Sequence, residues 1–449
     1  MSIDIAQRIH NQNFRLDPFV RSLLDTDFYK LLMANFIWEK YADVGATFSV
    51  KNRSIKRIRL ADLVSEADLR AQLDFVRGLR FTNAELIWLQ GNTFYGQRGI
   101  FSGDFIEALR NLRLPAYDLS INDESGEYEI SFTGSWFEAT FWEIYILAIM
   151  NEAKSRAAMS GMSKYQLRVL YANATAKLVS KLKSIREAGV SGIAEFGTRR
   201  RHGFLWQEFV IEAMAEELGD GFIGTSNALH AMRMGLPAIG TNAHELPMVI
   251  AALARIDTPQ DEAALRDSQY KVLREWQEVY GGNLLVGLPD TFGTTQFLQG
   301  APAAFPDIEN WTGFREDSKD PFVGGWEKVA FWKSIGVDPG NKLQLFSDGL
   351  DAQQMIDLHK TFSDQIRCGY GWGTNATNDF RGCDPRGGHD LDPISVVCKV
   401  SKVTRNNGKS ISPVKLSDNY EKATGAPDEV DHYRKVFGTE GMTNIPVEV

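Results

Sequence analysis

The spacing of apolar residues divides this chain into two regimes. Over residues 20–40, Phe28, Leu31, Leu32 and Phe36 recur on one face of a helix. Residues 46–50 alternate as a strand, and 62–90 carry apolar stripes at helical spacing. Residues 127–132 alternate strictly, as a strand with one wet face does. A helix over 137–153 closes this part, so residues 1–150 are predicted to form an α+β domain.

After about residue 185 the pattern changes. Short apolar runs recur at 192–196, 222–224, 237–240, 284–287, 311–314, 343–346 and 366–369, with helix-length segments between them. Strands alternating with helices imply a parallel sheet, and this many units favour a closed or nearly closed barrel. The predicted fold class is therefore α/β: an irregular parallel α/β barrel over 151–380 carrying the active site, plus the N-terminal α+β domain. A helix over 262–280 illustrates the outer layer. Leu265, Val272, Leu273, Trp276 and Val279 form its stripe, and Gly281-Gly282 ends it. From 381 to 449 the period fades, apart from a strand over 394–400. This tail is expected to pack on the N-terminal domain and join its sheet.

Composition narrows the field. The 449 residues carry a net charge of −9, which argues against nucleic acid as a partner. The basic stretch Lys51, Arg53, Lys56, Arg57 and Arg59 reads as a solvated strand or hairpin face. The three cysteines, Cys368, Cys383 and Cys398, are too widely spaced for a zinc knuckle or a disulfide framework, so no zinc is expected. The longest apolar stretch, 144–150, falls far short of the roughly 20 residues that span a bilayer. With no signal pattern at the N-terminus, no membrane association and a cytoplasmic location are expected. Walker A, GxGxxG, GxSxG and HExxH motifs are missing.

In a parallel barrel the chemistry collects at the C-terminal strand ends. Here nearly every apolar run leads directly into a polar block. The first opens onto Gly197-Thr198-Arg199-Arg200-Arg201-His202. Guanidinium forks bind phosphate oxygens in pairs, so the block suits a substrate with several phosphates. Three adjacent side chains cannot all face one pocket. One or two should reach phosphate, while the other faces solvent or a subunit partner. The run 237–240 opens onto Thr241-Asn242-Ala243-His244-Glu245, where Glu245 is a candidate to fix the His244 tautomer. Ser347-Asp348-Gly349 and Gly371-Trp372-Gly373-Thr374-Asn375 are glycine-flanked hydroxyl loops of the kind that cradle phosphate. Asp290 and Asp317 are candidate partners of Mg²⁺ or of ribose hydroxyls.

These blocks, in this order, resemble those of the nicotinate phosphoribosyltransferase family. They are LLDTDFYK at 23–30, EFGTRRRHGF at 195–204, GTSNA at 224–228, GTNAHE at 240–245, LVGLPDTFGTT at 285–295, FREDS at 314–318, FSDGLD at 346–351 and GYGWGTN at 369–375. The resemblance implies an enzyme of NAD salvage. It would join nicotinate to 5-phosphoribosyl 1-pyrophosphate, giving nicotinate mononucleotide and pyrophosphate. ATP would be a co-substrate that phosphorylates His244, a ligase-type coupling through a phosphohistidine, and Mg²⁺ would assist. The family pattern assigns ligand contacts to Arg199 and Arg201, counts Thr241 among the substrate contacts, and places Arg315 against the nicotinate carboxylate and Thr374 against the 5′-phosphate. Tyr29 would stack on the pyridine ring, delivered by the neighbouring subunit of a homodimer. Nicotinamide-using relatives carry an aspartate where this chain has Ser226; serine would not repel a carboxylate, which favours nicotinate. The rival readings are a nicotinamide-specific sister enzyme, opposed by Ser226; a nucleotide-binding barrel that only regulates a partner; and an unrelated phosphate-binding barrel, which would not require the Tyr29 block.

Overall fold

The computed structural model describes residues 18–444. Its first sheet is antiparallel and is built on β1 (Gly45–Asn52), which pairs with β5 (Tyr128–Ser135). β4 (Tyr117–Ile121) lies outside β5. The clean alternation of 127–132 has its expected result: Tyr128, Ile130 and Phe132 are buried while Glu129 faces solvent. On the other side of β1 lies β12 (Val396–Thr404) from the tail, paired from Gly45–Thr404 to Asn52–Val396 with a one-residue shift between Thr47 and Phe48. The short strand β13 (Ser410–Ile411) follows β12, giving the order β13-β12-β1-β5-β4.

The second sheet is parallel. It comprises β6 (Ile193–Glu195), β7 (Phe222–Thr225), β8 (Val286–Gly287), β9 (Gly313–Glu316), β10 (Leu343–Phe346) and β11 (Arg367–Trp372), in the order β7-β6-β11-β10-β9-β8. Six of the seven apolar runs thus become strands. The seventh, 237–240, lies between the two ends of the sheet. Ala238 makes one parallel bridge to Thr225 of β7, and Asn242 Nδ2 donates to Val286 O of β8 at 3.4 Å. Its irregularity has a physical reason. The small hairpin β2 (Thr93–Phe94) and β3 (Gln97–Arg98) presents Tyr95 at its turn. The Tyr95 hydroxyl accepts from Gly240 N at 2.6 Å and donates to Gly240 O at 2.8 Å. A side chain of the N-terminal domain thus satisfies backbone groups that a ladder partner would otherwise take.

One apolar core runs through both parts. The entry segment crosses from one to the other: Asp27 bridges Asn227, Phe28 N donates to Ser226 O, and Ala228 N donates to Thr26 O. The tail divides between the two parts. β12 joins the N-terminal domain's sheet, but Val414, Leu416, Val430, Tyr433, Val436 and Phe437 cluster with Ala251, Leu265 and Phe292 of the barrel side. The basic stretch is solvated at Lys51, Lys56 and Arg59, as expected, but Arg53 is half-buried. No helix among the described residues is long and apolar enough to cross a membrane.

Candidate active site

At the end of β6 the chain turns on a buried carboxylate. Glu195 accepts from Gly197 N at 2.5 Å, from Gln207 Nε2 at 3.0 Å and from Thr225 Oγ1 at 2.5 Å, while its backbone oxygen accepts from Ser226 N. It therefore ties together the strand ends that carry Arg199 and Ser226. Gly197 is required by crowding: a Cβ there would lie 2.0 Å from Thr377 Oγ1. The three arginines then diverge. Arg201 is fully buried, with its guanidinium on both Asp25 oxygens at 2.7 and 2.8 Å and on Phe19 O. Arg199 is 44% exposed and lies 3.7 Å from Asp27 and 3.6 Å from Glu143. Arg200 is half-buried, and burial beside Arg199 pushes its pKa down to about 10.

His244 stands at the N-terminus of the helix Glu245–Asp257, where the helix dipole favours negative charge. Its Nδ1 lies 2.9 Å from Thr291 Oγ1, and its Nε2 lies 2.9 Å from both Asp317 Oδ2 and Lys415 Nζ. Asp290 Oδ2 is 3.6 Å away. A neutral ring has one N–H, so Nε2 either donates to Asp317 or accepts from Lys415, not both. Burial, reinforced by Lys415 and opposed by Asp290 and Asp317, lowers the imidazole pKa, so the ring is held neutral, as a nucleophile requires. His244, Asp290 and Asp317 form a group that could hold a cation.

Arg315, on β9, donates to Asn242 O at 3.0 Å and approaches Asp317 at 3.6 Å. Ser347, after β10, donates to Asp317 Oδ1 at 2.9 Å. Asn375 Nδ2 donates to Gly349 O and Leu350 O, linking the two glycine loops, and half-buried Thr374 begins the turn beside it. Asp348 holds the left-handed conformation, φ 67°, which is uncommon for any residue with a Cβ. Lys422 pairs with it. Around this edge Arg53, Arg200, Lys399 and Lys415 crowd: burial, then Lys415 and Arg53, hold Lys399 well below the ordinary lysine range. Cations that depress one another make this edge a candidate anion site.

Tyr29 is buried, its ring 6.0 Å from the Arg199 guanidinium, and its hydroxyl has no hydrogen-bond partner among the described residues. Gly240 permits this approach, since a Cβ there would lie 2.8 Å from Tyr29 N. Ser226 Oγ donates to Asp27 Oδ1 at 2.7 Å. Thr241 is buried in the loop before His244.

The model of the nicotinate phosphoribosyltransferase (NAPRTase) family matches residues 192–441, and that of its N-terminal domain matches 24–151. The chain belongs to the nicotinate phosphoribosyltransferase family. Among solved structures it is similar to nicotinate phosphoribosyltransferase from Vibrio cholerae, at 28% identity and TM-score 0.80, covering 96% of each chain. It is also similar to nicotinate phosphoribosyltransferase from Porphyromonas gingivalis, at 27% identity and TM-score 0.79, covering 93% of this chain and 100% of that one.

Several expectations carried from the nicotinate phosphoribosyltransferase motifs change in the structure. Glu245 does not orient His244. Its carboxylate is committed to Lys30, Trp136 Nε1 and Thr140 Oγ1, because the helix it begins points it into the N-terminal domain. The groups that touch the imidazole are Thr291, Asp317 and Lys415. Arg201 is a buried strut rather than a ligand contact, and Arg200 lies among the cations near Asp348. Within one chain, the Tyr29 ring lies 6.0 Å from the Arg199 guanidinium, and the entry segment is pinned to 226–228. Sequence reasoning missed Lys399, Lys415 and Lys422, which lie in the tail beyond the matching blocks. The predicted strand 394–400, which contains Lys399, was the one available signal.

Proposed function

We propose that this protein joins nicotinate to 5-phosphoribosyl 1-pyrophosphate, forming nicotinate mononucleotide and pyrophosphate for NAD salvage. ATP hydrolysis drives the reaction through a phosphohistidine at His244. The observation that carries this reading is the setting of His244: a neutral imidazole at a helix N-terminus, touching Thr291, Asp317 and Lys415. Its ring can attack the γ-phosphorus of ATP, forming an N–P bond as the P–O bond to the β-phosphate breaks and ADP leaves, and Lys415 and the helix N-terminus offset the charge gained. Arg199 and Tyr29 face the pyridine ring, Arg315 its carboxylate, and Thr374 the 5′-phosphate. Arg53, Arg200, Lys399 and Lys422 surround the pyrophosphate. Charge developing on that leaving group is where such preorganised cations act.

The donors fit Mg²⁺. Asp290 and Asp317 offer carboxylate oxygens, and the buried Asp290 Oδ1 has no hydrogen-bond partner among the described residues. These two would hold the ion, which when bound neutralises phosphate charge. One observation favours a second reading, in which nicotinamide is the substrate: Asp27 beside Ser226 supplies a carboxylate acceptor. The test supplies nicotinate, nicotinamide and quinolinate separately with the ribosyl donor, with and without ATP. Nicotinate turnover stimulated by ATP is expected. Preference for nicotinamide would overturn the substrate assignment, and indifference to ATP would overturn the coupling.

A further inference from the structure

Asp27 precedes the first turn of the helix Phe28–Lys40, where an aspartate ordinarily accepts from the helix's own N–H groups. Its side chain makes no such bond. The carboxylate turns the other way. Oδ1 accepts from Ser226 Oγ at 2.7 Å, and Oδ2 lies 3.7 Å from Arg199 Nε. The Asp27–Asn227 bridge and the Phe28 N–H bond to Ser226 O fix the backbone there, and the residue is 2% exposed.

The charged and titratable groups facing Asp27 come from four elements. Arg199 follows β6, and Glu195 lies at the end of β6. Glu143 comes from the helix Trp142–Met159, and the Tyr29 phenol from Asp27's own helix. Lys30 is taken by Glu143 and Glu245. Buried Asp27 and partly buried Glu143 therefore share the guanidinium of Arg199, and buried Glu195 adds a second like charge beside Asp27. Nicotinate would bring a further carboxylate, and like charges in a poorly solvated site disfavour one another. Burial raises the Asp27 pKa above the ordinary carboxylate value, with Arg199, Ser226 and Thr198 working against it.

We propose that Asp27 is a specificity residue of the pyridine pocket: a carboxylate substrate binds with Asp27 protonated, whereas a neutral carboxamide has no such requirement. The proposal rests on the reading of this pocket as the nicotinate site. The proton comes from solvent and resides on an Asp27 oxygen; no covalent bond to substrate forms or breaks. Ser226 then acts through Asp27, since its hydrogen bond favours the ionised form.

The test is the pH profile of kcat/KM for nicotinate, which reports groups of the free enzyme, beside the inhibition constant of nicotinamide. In the wild type, kcat/KM for nicotinate should fall up to about tenfold per pH unit above the Asp27 pKa, while nicotinamide binding stays level. Asp27→Asn should lose that limb. Ser226→Ala keeps Asp27 but removes a bond to its charged form, so the limb should move to higher pH. It also keeps the test decisive if Asp27→Asn fails to fold. Parallel profiles for nicotinate in wild type and Asp27→Asn, a level wild-type profile, or a limb unmoved in Ser226→Ala would overturn the proposal. A folded wild type that turns over no nicotinate at any pH would overturn the site reading itself.

Discussion

Replacing Glu195 by glutamine tests whether a buried carboxylate organises the barrel's strand ends at a cost in stability. The side chain is fully buried, and burial lifts its pKa from the ordinary 4.5 to about 7 despite bonds from Thr225, Gly197 and Gln207. A folded-state pKa above the unfolded value means that the native protein holds this proton more tightly. The stability so gained is complete below pH 4.5 and is lost as pH rises through 7. At about 1.4 kcal/mol per pKa unit, the whole effect is about 3 kcal/mol, of which about 2.5 kcal/mol falls between pH 5 and pH 8. Glutamine keeps one acceptor for Gly197 and Gln207 and cannot ionise. Every other titrating group is common to both proteins. Urea unfolding at pH 5 and pH 8 should therefore show Glu195→Gln gaining about 2.5 kcal/mol on the wild type between those two values. A relative change below about 1 kcal/mol, or one of opposite sign, would refute the reasoning, because a carboxylate ionised in both states has no such linkage.

Other expectations follow from the same geometry. Arg201→Ala should cost about 3 to 5 kcal/mol in urea unfolding by stranding buried Asp25, whereas Arg199→Ala should leave stability within about 1 kcal/mol and raise the KM for nicotinate. His244→Ala should abolish acid-labile labelling from γ-labelled ATP while slow ATP-independent transfer survives; undiminished labelling would remove His244 from its role. With Tyr29 beside Arg199 and Lys415 beside His244 in the same chain, a site completed within one chain predicts that mixing Tyr29→Ala with His244→Ala by co-expression recovers no ATP-coupled activity. Partial recovery, with sedimentation showing a dimer, would restore the shared site expected from the motifs. Lys415→Met should raise the pKa of His244 by removing a neighbouring cation, which a histidine NMR titration would report as a shift to higher pH.

The amino-acid order determined what depends on local period. Strict alternation at 127–132 and the recurrent apolar runs after 185 became the antiparallel and parallel sheets, because burial on one face or on two is written into neighbouring residues. For the same reason the polar blocks sit at the strand ends of the parallel sheet. Tertiary structure decided which member of each block does what. Arg199, Arg200 and Arg201 are chemically alike and adjacent, yet one is half exposed and one is fully buried on Asp25, about 176 positions away in the chain. Glu245 adjoins His244 in sequence but pairs with Lys30 across 215 positions, while His244 meets Lys415 across 171. A side chain's partner is set by where distant elements cross, and no local pattern encodes that crossing.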